Sequence, residues 1–174
     1  MKRGNGLLIA GVLVIAGVAI LVATAALTPE GTHPAFATAL AFATAAGRGD
    51  ETEAFALLSP EMQAFARASC PEGQVTRCVA GYTPPEWGAF QSVVFRRAAP
   101  DMATAQAGEP RAYDVDLIAT YAEGRGFSGV CIYQRMAQDT TGAWRVAGYA
   151  GYVSCGDPES REMASNPDAP NRAP

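Results

Sequence analysis

The sequence predicts an α+β domain behind one membrane-spanning helix. Three observations predict it. Residues 7–27 form an apolar run without a charge. Residues 34–66 carry apolar side chains at helical spacing. From Ser92 onward the period changes to two, with short polar turns between the segments. Helices first and strands after is the α+β order.

The run LLIAGVLVIAGVAILVATAAL occupies residues 7–27. At about 1.5 Å per residue it spans about 30 Å as a helix, the thickness of a bilayer core. Lys2 and Arg3 precede it and the first acid is Glu30. The positive-inside rule then puts residues 1–6 in the cytoplasm and everything after the helix outside the cell membrane. This reading gives a single-pass protein that contacts lipid through residues 7–27. The alternative is a cleaved signal peptide with Ala23-Thr24-Ala25 as its exit. The run is longer than a signal core, which favours the anchor.

Residues 28–33 read as a linker. A first helix begins at Pro34, a good first-turn residue, with Phe36, Leu40, Ala43 and Ala46 on one face, and it breaks at Gly47-Arg48-Gly49. Asp50 caps a second helix, with Glu53 completing a capping box. Phe55, Leu57 and Leu58 supply its apolar face. Ser59-Pro60 starts a third, carrying Met62, Phe65 and Ala66. Residues 69–88 hold Cys70 and Cys78 among Pro, Gly and aromatics, and read as a stapled loop.

Strands are expected at residues 92–97, 102–107, 112–121, 128–137 and 144–154. In the third of these, Tyr113, Val115, Leu117, Ala119 and Tyr121 alternate with more polar residues, so one face is buried. Glu123 to Gly126 and Asp139 to Gly142 are turns. Neighbours joined by such turns pair antiparallel, because parallel strands need long crossovers. Residues 156–174 are rich in proline and poor in apolar residues, and read as a disordered tail.

The four cysteines, Cys70, Cys78, Cys131 and Cys155, are an even set that would lie outside the membrane, and this favours disulfides. Four cysteines allow three pairings. A local Cys70–Cys78 bridge is the easiest, and it leaves Cys131 with Cys155. Four buried thiols are the alternative. Neither a CxxC pair nor a nearby histidine supports a metal site, and no cofactor is expected. The formal charge is −4; setting aside Lys2 and Arg3 leaves 11 of the 13 cations against 17 acids, a net of −6. Phosphate backbones repel such a domain, which argues against a nucleic-acid partner.

The helix–Gly-Arg-Gly-Asp–AFALLSPEMQAF segment and the closing hairpin TGAWRVAGYAGY resemble the nuclear transport factor 2-like, or cystatin-like, superfamily over residues 34–155. That resemblance implies helices wrapped on a strongly curved antiparallel sheet, forming an open cone. Relatives of this fold include isomerases, cyclases and plain binding modules, so the fold leaves function open. The resemblance also implies where an acid–base enzyme would keep its groups, in the cone. Asp114 and Asp116 are the carboxylate candidates, with Tyr113, Tyr121 and Tyr133 as hydrogen-bond donors. None of these positions matches a family motif residue by residue, and a solvated strand face explains both aspartates. Tyr82 and Trp87, in the expected loop, are the candidate contacts for a protein partner or a small apolar ligand. His33 lies in the linker and reads as filler. The leading reading is a membrane-anchored binding or assembly module. A small acid–base enzyme and an accessory subunit of a membrane complex are the alternatives.

Overall fold

The computed structural model describes residues 33–123 and 129–155. Helices pack on one face of a four-stranded antiparallel sheet of order β1-β2-β3-β4. Helix α1, Pro34–Arg48, is rich in alanine, the strongest helix former. Its small residues bring it close to β1 and β4. His33 caps it, its Nδ1 accepting from the Ala35 N–H at 3.2 Å. Gly47 lies so near the Phe90 ring that a Cβ there would fall 2.6 Å from it.

Helix α2, Glu51–Ala56, starts at the expected cap, with the Asp50 carboxylate accepting from the Glu53 N–H at 3.1 Å. It is shorter than its apolar pattern suggests. Leu57 and Leu58 leave it and bridge to the edge of the sheet, where Val146 N–H donates to Leu57 O at 3.0 Å. Helix α3, Pro60–Ser69, is capped by the Ser59 hydroxyl and buries Met62 and Ala66.

Residues 69–88 are not a loop. They contain helix α4, Val75–Tyr82, between two short 3-10 turns, Pro71–Gly73 and Pro85–Trp87. Gln74 gives α4 no side-chain cap. The Glu51 carboxylate instead accepts from the N–H groups of Val75 (3.1 Å) and Thr76 (2.9 Å) and from the Thr76 hydroxyl. A cap supplied from another helix leaves no local start signal.

Strand β1 is Phe90–Pro100, β2 Ala112–Tyr121, β3 Val130–Gln138 and β4 Trp144–Ser154. The expected strand at 102–107 is absent. Met102–Thr104 is a 3-10 turn capped by Asp101, and Gln106 to Glu109 form a tight turn with Ala107 and Gly108 at positive φ. Its alternating small residues match a strand on period alone, and the Asp101 cap overrides them. The edge strand β1 carries Arg96, Arg97, Pro100 and two register shifts, features that discourage further strand pairing.

The inner face of the sheet buries Val115, Leu117, Ile132, Met136, Val146 and Tyr149 against Phe42, Leu58, Met62 and Val75. Cys70 is bonded to Cys78 and Cys131 to Cys155, with Cα separations of 5.2 and 5.0 Å. The first bridge ties α3 to α4; the second ties β3 to the residue after β4. The apolar run 7–27, the turn at 124–126 and the tail 156–174 lie outside the described residues. Among the described residues no helix is long and apolar enough to cross a membrane.

Candidate functional site

Two polar regions occupy opposite faces of the sheet. The outer face holds the aspartates. Alternation along β2 puts Asp114 and Asp116 there, with Arg97 and Tyr133 opposite Asp116 and Arg135 opposite Asp114. Arg97 Nε donates to Asp116 Oδ2 at 2.5 Å. Arg135 reaches both Asp114 oxygens at 3.2 Å and pairs with Asp101 as well. The Asp116 hydrogen bond raises the Arg97 pKa, and the Arg135 hydrogen bond lowers that of Asp101.

The aspartates therefore differ. The Asp114 side chain is 62% exposed, as a solvated face requires. Asp116 is only 12% exposed and is covered by its arginine, which corrects the reading of both as surface residues. The cleft between them, lined also by Tyr133, Gly148 and Ala150, measures about 30 Å³. That is room for roughly two waters.

The inner face holds the second region. Tyr82 from α4 sits 6.1 Å, ring to ring, from both Tyr149 and Tyr152 of β4, and those two are 6.2 Å apart. Gln134 faces Tyr149 across the β3–β4 ladder, and such directly opposed pairs are in contact. Among the described residues, the Gln134 amide, 2% exposed, finds no partner for its oxygen or its nitrogen, and neither do the hydroxyls of Tyr149 and Tyr152. The Tyr82 phenol lies close to that of Tyr149, outside hydrogen-bond geometry. Tyr152 takes a left-handed φ of 58°, beside Gly151 at a register shift, and this turns its ring inward.

Burial pushes the Tyr121 phenol up to about 12. It pushes Tyr149 and Tyr152 up as well, with neighbouring phenols adding to the effect. All three are neutral donors at pH 7. The arrangement can offer hydrogen bonds to a buried polar group.

The sequence candidates do not converge. Asp114 and Asp116 lie on the outer face, while Tyr113 and Tyr121 point to the core on the inner face; Tyr133 alone shares a face with the aspartates. Tyr82 joins the inner cluster. Trp87 is not displayed to a partner: it is 7% exposed, 5.6 Å from the Tyr121 ring. The 3-10 turn folds its indole over the end of β2, which corrects the reading of an exposed loop contact. His33 is more than filler, because its ring lies 4.9 Å from Phe36 and from Tyr113 and 5.3 Å from Trp144.

Sequence reasoning missed Gln134. Its signal is parity, since it sits in mid-strand between Ile132 and Met136, both buried on the inner face of β3. A shallow groove of about 390 Å³ runs between the end of α1 and α4, past Arg48, Gln74 and Arg77. Among the described residues, no three His, Cys, Asp or Glu side chains are grouped to hold a metal. Comparison with protein-family models, curated proteins and solved structures finds no match to the chain.

Proposed function

We propose that the chain is an extracytoplasmic binding or assembly module. On this reading residues 7–27 hold it at the cell membrane with the N-terminus in the cytoplasm. Residues 34–155 form a domain of nuclear transport factor 2-like shape outside. The observation that carries the proposal is the pair of closed disulfides, which leave no free thiol among the described residues. Stable disulfides belong to oxidising compartments. The helix-then-hairpin order and the helices on one face of the sheet agree with the family resemblance.

Binding suits the polar groups better than acid–base catalysis does. A catalytic base must reach the same substrate as the donors that steady its product. Here the aspartates sit in ion pairs on one face, and the neutral phenols Tyr121, Tyr149 and Tyr152 sit on the other. The buried amide and phenols of the inner face have one acid near them, Glu51, and its carboxylate is taken up in capping α4.

The test is done on cells with the outer membrane or wall removed. A membrane-impermeant maleimide should leave the chain unlabelled before reduction and label four cysteines afterwards. Added protease should remove the domain and spare a fragment holding residues 7–27. Labelling of all four thiols without reductant, or a domain shielded from protease, would end this reading.

A further inference from the structure

Where the chain enters the domain decides how the domain stands on the membrane. His33 is fixed at one end of the sheet: it caps α1 through Nδ1, and its ring lies between those of Phe36, Tyr113 and Trp144. Tyr113 pairs with Pro100, and Trp144 pairs with Gln138. This end is therefore bordered by the 101–111 connection and the 139–143 turn. Only residues 28–32 separate His33 from the apolar run. At 3.3–3.6 Å per residue that stretch reaches at most about 20 Å.

The other end is far away. Tyr121 lies eight residues along β2 from Tyr113, roughly 26 Å at strand rise. Trp87 packs on Tyr121, and Cys155 N–H bonds Gly129 O in the same quarter. The two tryptophans thus mark opposite ends of the sheet.

We infer that the His33–Tyr113–Trp144 end faces the lipid surface, and that the Trp87–Tyr121 end and the Cys131–Cys155 bridge point away. The inference rests on the anchor reading above and names the surface left free for a partner. Two further observations favour standing over lying flat. Met102, on the 101–111 connection, is 57% exposed and is one of two large apolar side chains so exposed among the described residues. Most charges around it are paired, Asp101 and Asp114 sharing Arg135 and Asp139 bonding Arg145, while Glu109 on the same connection stays exposed.

The test uses the full chain in vesicles containing a headgroup diazirine lipid. Flotation comes first, and photolysis with peptide mapping follows. Lipid adducts should concentrate in residues 101–111 and 139–143, several-fold above those in residues 83–89 and 121–123. A second measurement uses energy transfer to dansyl-labelled headgroups. Trp87→Phe, which keeps Trp144, should transfer several-fold more efficiently than Trp144→Phe, which keeps Trp87. Equal or reversed adducts or transfer in a chain that floats would overturn the orientation and leave the anchor standing. A chain that does not float overturns both.

Discussion

The two faces of the sheet solve different problems. The inner face is apolar apart from Gln134 and the phenols, and it is closed by α1, α3 and α4. The outer face carries Arg97, Asp114, Asp116, Arg135 and the Cys131–Cys155 bridge. Burial of a large apolar side chain contributes a few kcal/mol. A partly exposed ion pair contributes about 0–1 kcal/mol. The inner face should therefore dominate stability, while the outer face tolerates change. Where the inner face admits polar atoms without partners, it gives up stability, and that concentrates interest on Gln134, Tyr149 and Tyr152.

The sharpest test sets the two tryptophans side by side. Trp144 is 8% exposed and Trp87 7% exposed. Truncating a buried indole costs about 3–5 kcal/mol, against a total of about 5–15 for a domain. Trp144→Ala and Trp87→Ala should each bring the domain close to unfolding, by similar amounts in urea melts. A small loss for Trp87→Ala alone would return residues 83–89 to the status of a displayed loop.

Next comes the seam between α1 and β1. Gly47→Ala would drive a methyl into the Phe90 ring, and overpacking of this kind costs about 1–3 kcal/mol. A neutral result by thermal melting would mean that Phe90 swings away freely and that the helix is less closely held than its contacts suggest.

The outer face should separate its own aspartates. Asp116→Asn removes a charged acceptor from under Arg97, whose exposure screens the pair, and should cost about 1 kcal/mol. Asp114→Asn should change stability by no more than about 0.5 kcal/mol. Equal losses in denaturant melts would show that burial does not distinguish the two pairs.

The smallest effect is one of pH. Burial lowers the His33 pKa below its usual 6.5, with Glu109 opposing, so the unfolded chain binds more protons than the folded one in that range. Stability is then full above about pH 6.5 and falls as the pH drops through it. Protonation also removes the Nδ1 acceptor that caps α1. Denaturant midpoints should decline between pH 7.5 and 5.5 in the native chain. They should stay flatter in His33→Asn, whose amide can cap without titrating. Parallel declines would assign the effect to other groups.

Much of the fold is legible in the residues themselves. Pro34, Asp50 and Ser59 mark their helix starts within three or four positions, and the bounds of β4 follow from the Asp139–Gly142 turn and the alternation after it. The nearness of Cys70 to Cys78 points to that bridge, and the remainder gives the second. Such signals act over a few residues, the range of a cap, a turn or a side-chain period.

What only the tertiary structure decided depends on segments far apart in the chain. Helix α4 has its cap on Glu51, and Asp116 has its arginine on β1. Trp87 is buried because the end of β2 comes to meet it, and His33 because Tyr113 and Trp144 do. Gln134 could be placed on the inner face by parity, yet its lack of a partner depends on which side chains α1, α4 and β4 bring beside it. Periodicity assigns a residue to a face; only packing assigns it a neighbour, because the neighbour comes from another part of the chain.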